Sequence, residues 1–320
     1  MNTSAQMETS ACDKELHFKA RGKLLLTGEY LVLHGARALA LPLNKGQRMK
    51  VAYPAQSKGF LQWTALLPEG TWFTAEYDDQ LQVRSSSEAA AAGRLQDLLQ
   101  EAVAQGGPEV LERLKGARVT TQLEFDPRWG WGSSSTLLSL LGQWLHIDPH
   151  PLLRSTFGGS GYDLACAQNQ QALFFQSRGE HPPEITLVDF APPFIDQLYL
   201  LWLEKKQTSA TEVKAFLQKG GDYREAIEEV NALGRAILQT QNAGDFGRLL
   251  QQHEQLLAKI LGRPTVQERL FSDFGGQIKS LGAWGGDFVL VLSAQSQDDL
   301  RTYFATKGFH TLLPLQSVLV

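Results

Sequence analysis

The stretch P-R-W-G-W-G-S-S-S-T, residues 127–136, decides how this chain is read. Gly130 and Gly132 let the backbone turn tightly and approach a ligand with no Cβ in the way. Ser133, Ser134 and Ser135 then precede an apolar run, L-L-S-L-L-G-Q-W-L at 137–145, whose composition predicts a helix ended by Asp148-Pro149. Free N–H groups and the dipole at such a helix start favour an anion. The serine hydroxyls add hydrogen bonds to a phosphate or a ligand to magnesium. The plain alternative is that the serines only cap the helix, and local chemistry leaves both readings open. The G-K-[S/T] ending of a Walker loop is absent.

Two more glycine turns lie further along. F-G-G-S-G-Y-D at 157–163 places Gly158, Gly159, Ser160 and Gly161 ahead of Asp163, at the start of the expected helix L-A-C-A-Q. A carboxylate there is either a helix cap or a group aimed at a site. G-A-W-G-G-D at 282–287 precedes the strand F-V-L-V-L, and alone it is an ordinary tight turn. Lys23 opens the apolar run L-L-L after Arg21-Gly22. A lysine at a strand start is usually solvated, but one beside an active-site carboxylate orients substrate and stabilises transferred charge.

Between these turns, strand and helix signals alternate. Residues 15–33 predict two strands broken at Arg21-Gly22, and 47–84 a strand-rich zone. A helix is expected over 88–103, and strands over 117–126, 172–177 and 185–190. A-P-P-F at 191–194 is the best domain boundary, giving domains at 1–194 and 195–320. After it come the strand L-Y-L-L-W-L and a mostly helical region over 209–281, with breaks at Gly220-Gly221, Gly244 and Gly262 to Pro264. A helix-strand pair ends the chain. This mixture excludes an all-α or all-β fold.

Composition narrows the function. With 43% hydrophobic and 20% charged residues the chain buries a real core. A net charge of -4 supplies no broad basic field, so no nucleic-acid partner is expected. Cys12 and Cys166 make no disulfide framework or four-ligand zinc site. His146 and His150 are separated by a helix-breaking Asp148-Pro149 and do not read as a metal pair. No run approaches the roughly 18 apolar residues of a membrane span. Met1 to Lys14 lacks a signal-peptide core, so no membrane partner and a cytoplasmic location are expected.

Taken in order, four segments resemble the signatures of the GHMP small-molecule kinases. They are G-K-L-L-L-T-G-E-Y-L-V-L-H at 22–34, P-R-W-G-W-G-S-S-S, G-S-G-Y-D-L-A at 159–165, and G-A-W-G-G-D, close to the family's G-A-G-G-G-D. G-E-Y-L-V-L and G-S-G-Y-D-L-A look most like phosphomevalonate kinases and a bacterial mevalonate-kinase-like group. The resemblance implies an α+β fold of two lobes, an N-terminal one like ribosomal protein S5 domain 2 and a C-terminal ferredoxin-like one, with the active site between them. It implies an ATP- and Mg2+-dependent kinase acting on mevalonate or phosphomevalonate.

Carried onto this sequence, Gly130, Gly132, Ser133, Ser134 and Ser135 would bind the ATP phosphates, and Ser134 would contact magnesium. Asp163 would be the general base, kept ionised by Lys23. Glu29, Tyr30, Ser160, Gly161, Gly285 and Gly286 would face the acceptor, and Lys205, Lys206, Thr208 and Ser209 would meet its acidic group. Three departures stand out. Trp131 and Trp284 replace smaller residues, either covering the nucleotide site or packing beneath the loops. Asp163 follows Ser135 by only 28 positions. No glutamate occurs between 136 and 162, which leaves the second metal ligand unassigned and Asp148 a poor substitute. A diphosphomevalonate decarboxylase is opposed by the G-S-G-Y-D turn. A non-catalytic metabolite-binding relative is opposed by the presence of both Lys23 and Asp163. The sequence does not fix the oligomeric state, and a homodimer is left open.

Overall fold

Strand β1 (Glu15–Thr27) runs unbroken through Arg21-Gly22. This computed structural model describes residues 15–54, 61–179, 181–204, 209–282, 284 and 286–320. Gly22 is a point of close approach and not a turn: a Cβ there would stand 2.9 Å from the Lys45 carbonyl oxygen and 3.2 Å from that of Trp131. The chain turns later, at Gly28 (φ 90°) and Tyr30 (φ 61°). The expected strand Y-L-V-L is instead a 3-10 turn, Leu31–His34, closed by Val32 N–H to the Gly28 carbonyl and Leu33 N–H to that of Tyr30.

There follow β2 (Ala38–Ala52), β3 (Leu61–Leu67), β4 (Gly70–Tyr77), β5 (Val83–Ser86), α1 (Ala89–Leu114) and β6 (Arg118–Leu123). Next come α2 (Ser133–Leu145), α3 (Pro149–Thr156), α4 (Tyr162–Gln168), β7 (Ala172–Arg178), β8 (His181–Val188) and β9 (Leu198–Trp202). The rest of the chain forms α5 (Ser209–Lys219), α6 (Arg224–Gln239), α7 (Ala243–Leu261), α8 (Val266–Leu270), β10 (Gln277–Ser280), β11 (Phe288–Leu292), α9 (Gln297–Thr306) and β12 (Leu312–Pro314). The α+β class that the resemblance implies is what the structure shows.

Helix α3 escapes the sequence reading because Asp148-Pro149 looks only like a stop. In fact the same pair starts a helix: the Asp148 carboxylate accepts the His150 N–H at 3.0 Å, and Pro149 takes the first helical position. Gly244 does not break α7, because Asn242 caps it two residues earlier by accepting the Asp245 N–H. Residues 277–280 are a strand and not helix, since Ile278 pairs with Val291 of β11 in an antiparallel ladder.

The chain forms two compact units. One consists of the chain up to Lys19, 48–123 and 140–147; the other consists of 20–47, 124–139 and 148–320. In the first, β3 lies between antiparallel β4 and parallel β6, with Trp63 opposite both Ala75 and Val119. Helix α1 buries Ala91, Ala92, Leu95, Leu98 and Leu99, and Tyr77 Oη donates to the Ala92 carbonyl. It runs beyond the predicted end, across a kink at Gly107-Pro108.

The second unit carries the functional motifs. There β2 pairs with β7 at Ala38–Ala40, and β7 pairs with β8. A four-stranded antiparallel sheet runs in the order β10-β11-β9-β12. Its core gathers Tyr199, Leu201, Ile278, Val289 and Val291 with Phe271, Leu300 and Phe304. A second cluster joins Leu25, Ala38 and Ala40 to Ala165, Cys166 and Phe175, which fixes β1 relative to α4.

Candidate active site

The phosphate-loop reading depends on backbone shape, and that shape is present. Gly130 (φ 67°) and Gly132 (φ 90°) both take left-handed conformations that favour glycine. A side chain at Gly130 would clash, and one at Gly132 would press on a neighbour. A Cβ on Gly130 would meet Asp287 Oδ2 at 2.2 Å, and one on Gly132 would meet Lys23 Cγ at 3.3 Å. Helix α2 begins at Ser133, as the sequence predicts. Thr136 N–H bonds to the Gly132 carbonyl at 2.9 Å, and the Thr136 hydroxyl ties the turn to Gln47 Oε1 at 2.8 Å. The N–H groups of Ser133, Ser134 and Ser135 lie in the first turn, where an α-helix offers no internal acceptor. Ser135 is buried, while Ser133 and Ser134 are half-buried.

Trp131 packs beneath this loop and does not cover it. It is 1% exposed, stacks on Phe288 of β11 at 5.4 Å, and meets the edge of Trp129 at 4.6 Å. Trp284 is also interior, clustered with Tyr30, Leu31, Phe216 and Leu257. Both tryptophans are therefore packing residues.

Lys23 is held beside the loop by its own backbone, whose N–H donates to the Trp131 carbonyl at 3.1 Å. Its ammonium nitrogen lies 5.4 Å from the centroid of the Tyr162 ring. Burial pushes the Lys23 pKa down, but Tyr162, Asp163 and Asp287 outweigh it and hold the group above the ordinary lysine value. Burial raises the Tyr162 phenol to about 12, against the opposing pull of Lys23. Asp163 is the second residue of α4, and its Oδ1 accepts the Leu164 N–H at 3.1 Å. The glycines before it do what the turn requires: Gly161 (φ 93°) caps the start of α4 in a left-handed conformation, and a Cβ there would lie 3.7 Å from Leu153 and Phe175. Ser160 is half-buried in the same turn. Lys23, Asp163 and the Gly130–Ser135 loop thus share one electrostatic neighbourhood, and Asp287, which carries no assignment from the sequence, belongs to it.

The expected acceptor residues divide differently. Lys205, Lys206, Thr208 and Gly285 lie outside the described residues, Ser209 begins α5, and Gly286 is buried after Trp284. Glu29 and Tyr30 are committed to protein partners. Glu29 is 2% exposed, and its Oε1 accepts from Lys279 Nζ at 2.5 Å. Tyr30 Oη accepts the Trp284 N–H at 3.1 Å. The G-E-Y turn therefore clasps β10 and the third glycine turn. His253 completes the clasp from α7, its Nε2 accepting the Gly28 N–H at 3.1 Å. That bond makes Nε2 unprotonated and leaves the proton on Nδ1.

Glu254 lies next to it, accepting from the Ser280 hydroxyl at 3.1 Å. Burial raises the Glu254 carboxyl to about 8, with Lys279 opposing, and drives His253 well below its usual pKa. Burial likewise raises the Glu29 carboxyl above the ordinary carboxylate value, again against Lys279. Among the described residues, Glu29 Oε2, His253 Nδ1 and Glu254 Oε1 are buried and meet no hydrogen-bond partner. One signal in the sequence marks this network. His253 and Glu254 fall on the helical face that buries Phe246, Leu250 and Leu257, where a polar pair needs a reason.

Among the described residues no cluster of three or more His, Cys, Asp or Glu side chains is arranged to hold a metal. Asp148 is occupied as the α3 cap and by His150 at 2.9 Å. The donors that the loop itself offers are the half-buried Ser133 and Ser134 hydroxyls, oxygen ligands of the kind magnesium takes beside phosphate and water.

This arrangement of strands, helices and glycine turns is the GHMP kinase fold. No family model and no curated protein matches the chain. Among solved structures it is similar to Streptococcus pneumoniae phosphomevalonate kinase in complex with phosphomevalonate and AMPPNP, at a TM-score of 0.68 and 17% identity. That match covers 93% of this chain and 99% of the other. The Methanococcus jannaschii mevalonate kinase follows at a TM-score of 0.66 and 14% identity, covering 95% and 98%. Lactococcus lactis galactokinase complexed with galactose gives 0.66 at 12% identity, covering 96% and 94%.

Proposed function

We propose that this chain is an ATP-dependent kinase that transfers the γ-phosphoryl group to the hydroxyl of mevalonate. The observation that carries the reading is the grouping of Lys23 and Asp163 beside the Gly130–Gly132 turn. Phosphoryl transfer needs mainly positioning and charge neutralisation, with one base for the hydroxyl proton. Asp163 takes that proton, and Lys23 steadies the carboxylate and the charge that develops on the transferred group. The N–H groups and hydroxyls of Ser133, Ser134 and Ser135 hold the phosphates, with Gly130 and Gly132 keeping the backbone close. Magnesium, when bound, neutralises phosphate charge, and the Ser134 hydroxyl is the first ligand assigned to it.

Ser160, Gly161, Gly285 and Gly286 form the acceptor side in this proposal, with Lys205 and Ser209 meeting an acidic group. Glu29 and Tyr30 serve it from behind, by holding the third turn in place. The lobes are assigned as 1–194 and 195–320, and the location as cytoplasmic. Among the described residues no helix is long and apolar enough to cross a membrane. Phosphomevalonate is the second reading, favoured by the G-E-Y motif and by the likeness to the Streptococcus pneumoniae enzyme.

The test is ADP release from the purified protein with ATP and magnesium, offering mevalonate and phosphomevalonate in parallel. Turnover on mevalonate alone is expected. Turnover on phosphomevalonate alone moves the assignment to the second reading, and silence on both from folded protein removes the mevalonate branch.

A further inference from the structure

Tyr162 stands between Gly161 and Asp163, and the chemistry proposed above gives it no task. It is the first residue of α4, placed by the left-handed Gly161 that caps the helix. Its ring packs against the cluster that contains Leu25, Ala38 and Phe175, while the residue as a whole stays half-buried. The Lys23 ammonium lies 5.4 Å from the ring centroid, inside the roughly 6 Å over which a cation is drawn to an aromatic ring. The phenol oxygen also accepts a hydrogen bond from that ammonium.

A lysine in this place needs a holder. Its ammonium ends a flexible four-carbon stem and carries donors only. The root of Lys23 is fixed by its N–H to the Trp131 carbonyl at 3.1 Å. Its stem passes Gly132, where a Cβ would stand 3.3 Å from Cγ and 3.7 Å from Cε. Asp163 and Asp287 attract the ammonium, but attraction between charges sets no direction by itself. The ring and oxygen of Tyr162 do set one, because both contacts have preferred geometry. Burial raises the phenol to about 12, so it stays neutral and adds no further negative charge beside Lys23.

We propose that Tyr162 is a positioning residue for the transfer: it holds the Lys23 ammonium beside Asp163 and against the Gly132 turn. The inference rests on the kinase reading above. It accounts for the order Tyr162-Asp163 at the start of α4. Successive positions then carry the holder of the lysine and the base that the lysine steadies, and the core packing of the ring fixes the first of them.

The test joins a chemical probe of Lys23 to kinetics, on the full chain as wild type, Tyr162→Phe and Tyr162→Leu. Phenylalanine keeps the ring and loses the oxygen; leucine loses both and keeps an apolar group on the cluster. Competitive acetylation with trace acetic anhydride, with Lys23 read by mass spectrometry against the other lysines, reports how firmly the ammonium is held and needs no turnover. Lys23 is expected to label about 10-fold faster in Tyr162→Phe, as befits a lost hydrogen bond to a charged group, and faster again in Tyr162→Leu. With ATP, Mg2+ and whichever of mevalonate and phosphomevalonate the wild type accepts, kcat should fall about 10-fold in Tyr162→Phe and about 100-fold in Tyr162→Leu. The KM for ATP should stay within about 2-fold, because the lost placement matters in the transition state. A merely structural role would lower the unfolding midpoint and leave Lys23 labelling of the folded protein as in the wild type. Wild-type labelling of Lys23 in both folded variants overturns the proposal and leaves the kinase reading intact. Faster labelling with unchanged kcat overturns it too, since the placement would then not serve transfer. No turnover by folded wild type on either acceptor overturns both.

Discussion

Gly130, Gly132, Lys23 and Asp163 are individually unremarkable residue types, and each has a plain structural use. Only their joint placement points to phosphoryl transfer. Removing the proposed base should be decisive: Asp163→Ala is expected to cut turnover by about 10²–10⁴ with the fold intact, measured by steady-state ADP release against a circular-dichroism control. Near-normal turnover would show that another group accepts the proton. The Glu29–Lys279 pair makes a second residue-scale prediction, about stability. Both groups are at most 2% exposed, so removing one partner strands a buried charge. Lys279→Met should cost about 3–5 kcal/mol in denaturant unfolding, and adding Glu29→Gln should recover much of it. Glu29 was legible as a motif residue, but its use was not. A sequence shows that a carboxylate is present, and not that a lysine 250 positions away has reached it.

Elements were legible where periodicity and composition agreed, as in α2, β6, β7, β9 and β11. They were missed where one residue serves two purposes. Gly22 looks like a turn, yet it sits inside β1 because two carbonyl oxygens come too close for a side chain. Asp148-Pro149 looks like a stop, yet it caps α3. For Trp131 and Trp284 the sequence leaves covering and packing equally open, and contacts with Phe288 and the Tyr30 cluster decide for packing. Helix α7 hides the least legible device, because its buried face includes His253 and Glu254. The Glu254 carboxyl sits at about 8 in the folded chain against 4.5 as its usual value, so the folded state holds the extra proton between those limits. Its stabilisation is full below about 4.5 and is lost as pH rises through about 8. Glu254→Gln should therefore flatten the fall in unfolding free energy between pH 5 and pH 8, roughly the window set by those two values. An unchanged slope in denaturant titrations would mean that Glu254 is ionised where it lies. His253 works in the opposite sense, its lowered pKa costing stability as pH falls below its usual value.

At the scale of the whole molecule, four short motifs carried the fold across a chain that solved relatives match at only 12–18% identity. Glycine positions and helix starts answer directly to backbone geometry, so the sequence signals them openly. The acceptor pocket is less legible for the same reason. The side chains proposed to meet the acceptor, Lys205 and Ser209, carry no fixed backbone signature. Motif order, α+β class and local geometry all support the function proposed above, the transfer of a phosphoryl group from ATP to a small hydroxylated acid. The most direct test is 31P nuclear magnetic resonance of a reaction containing the protein, ATP, Mg2+ and mevalonate. The account predicts one new phosphate monoester for each ADP formed, and none without the protein. ADP accompanied only by free phosphate, or no reaction from folded protein that binds ATP, would contradict it.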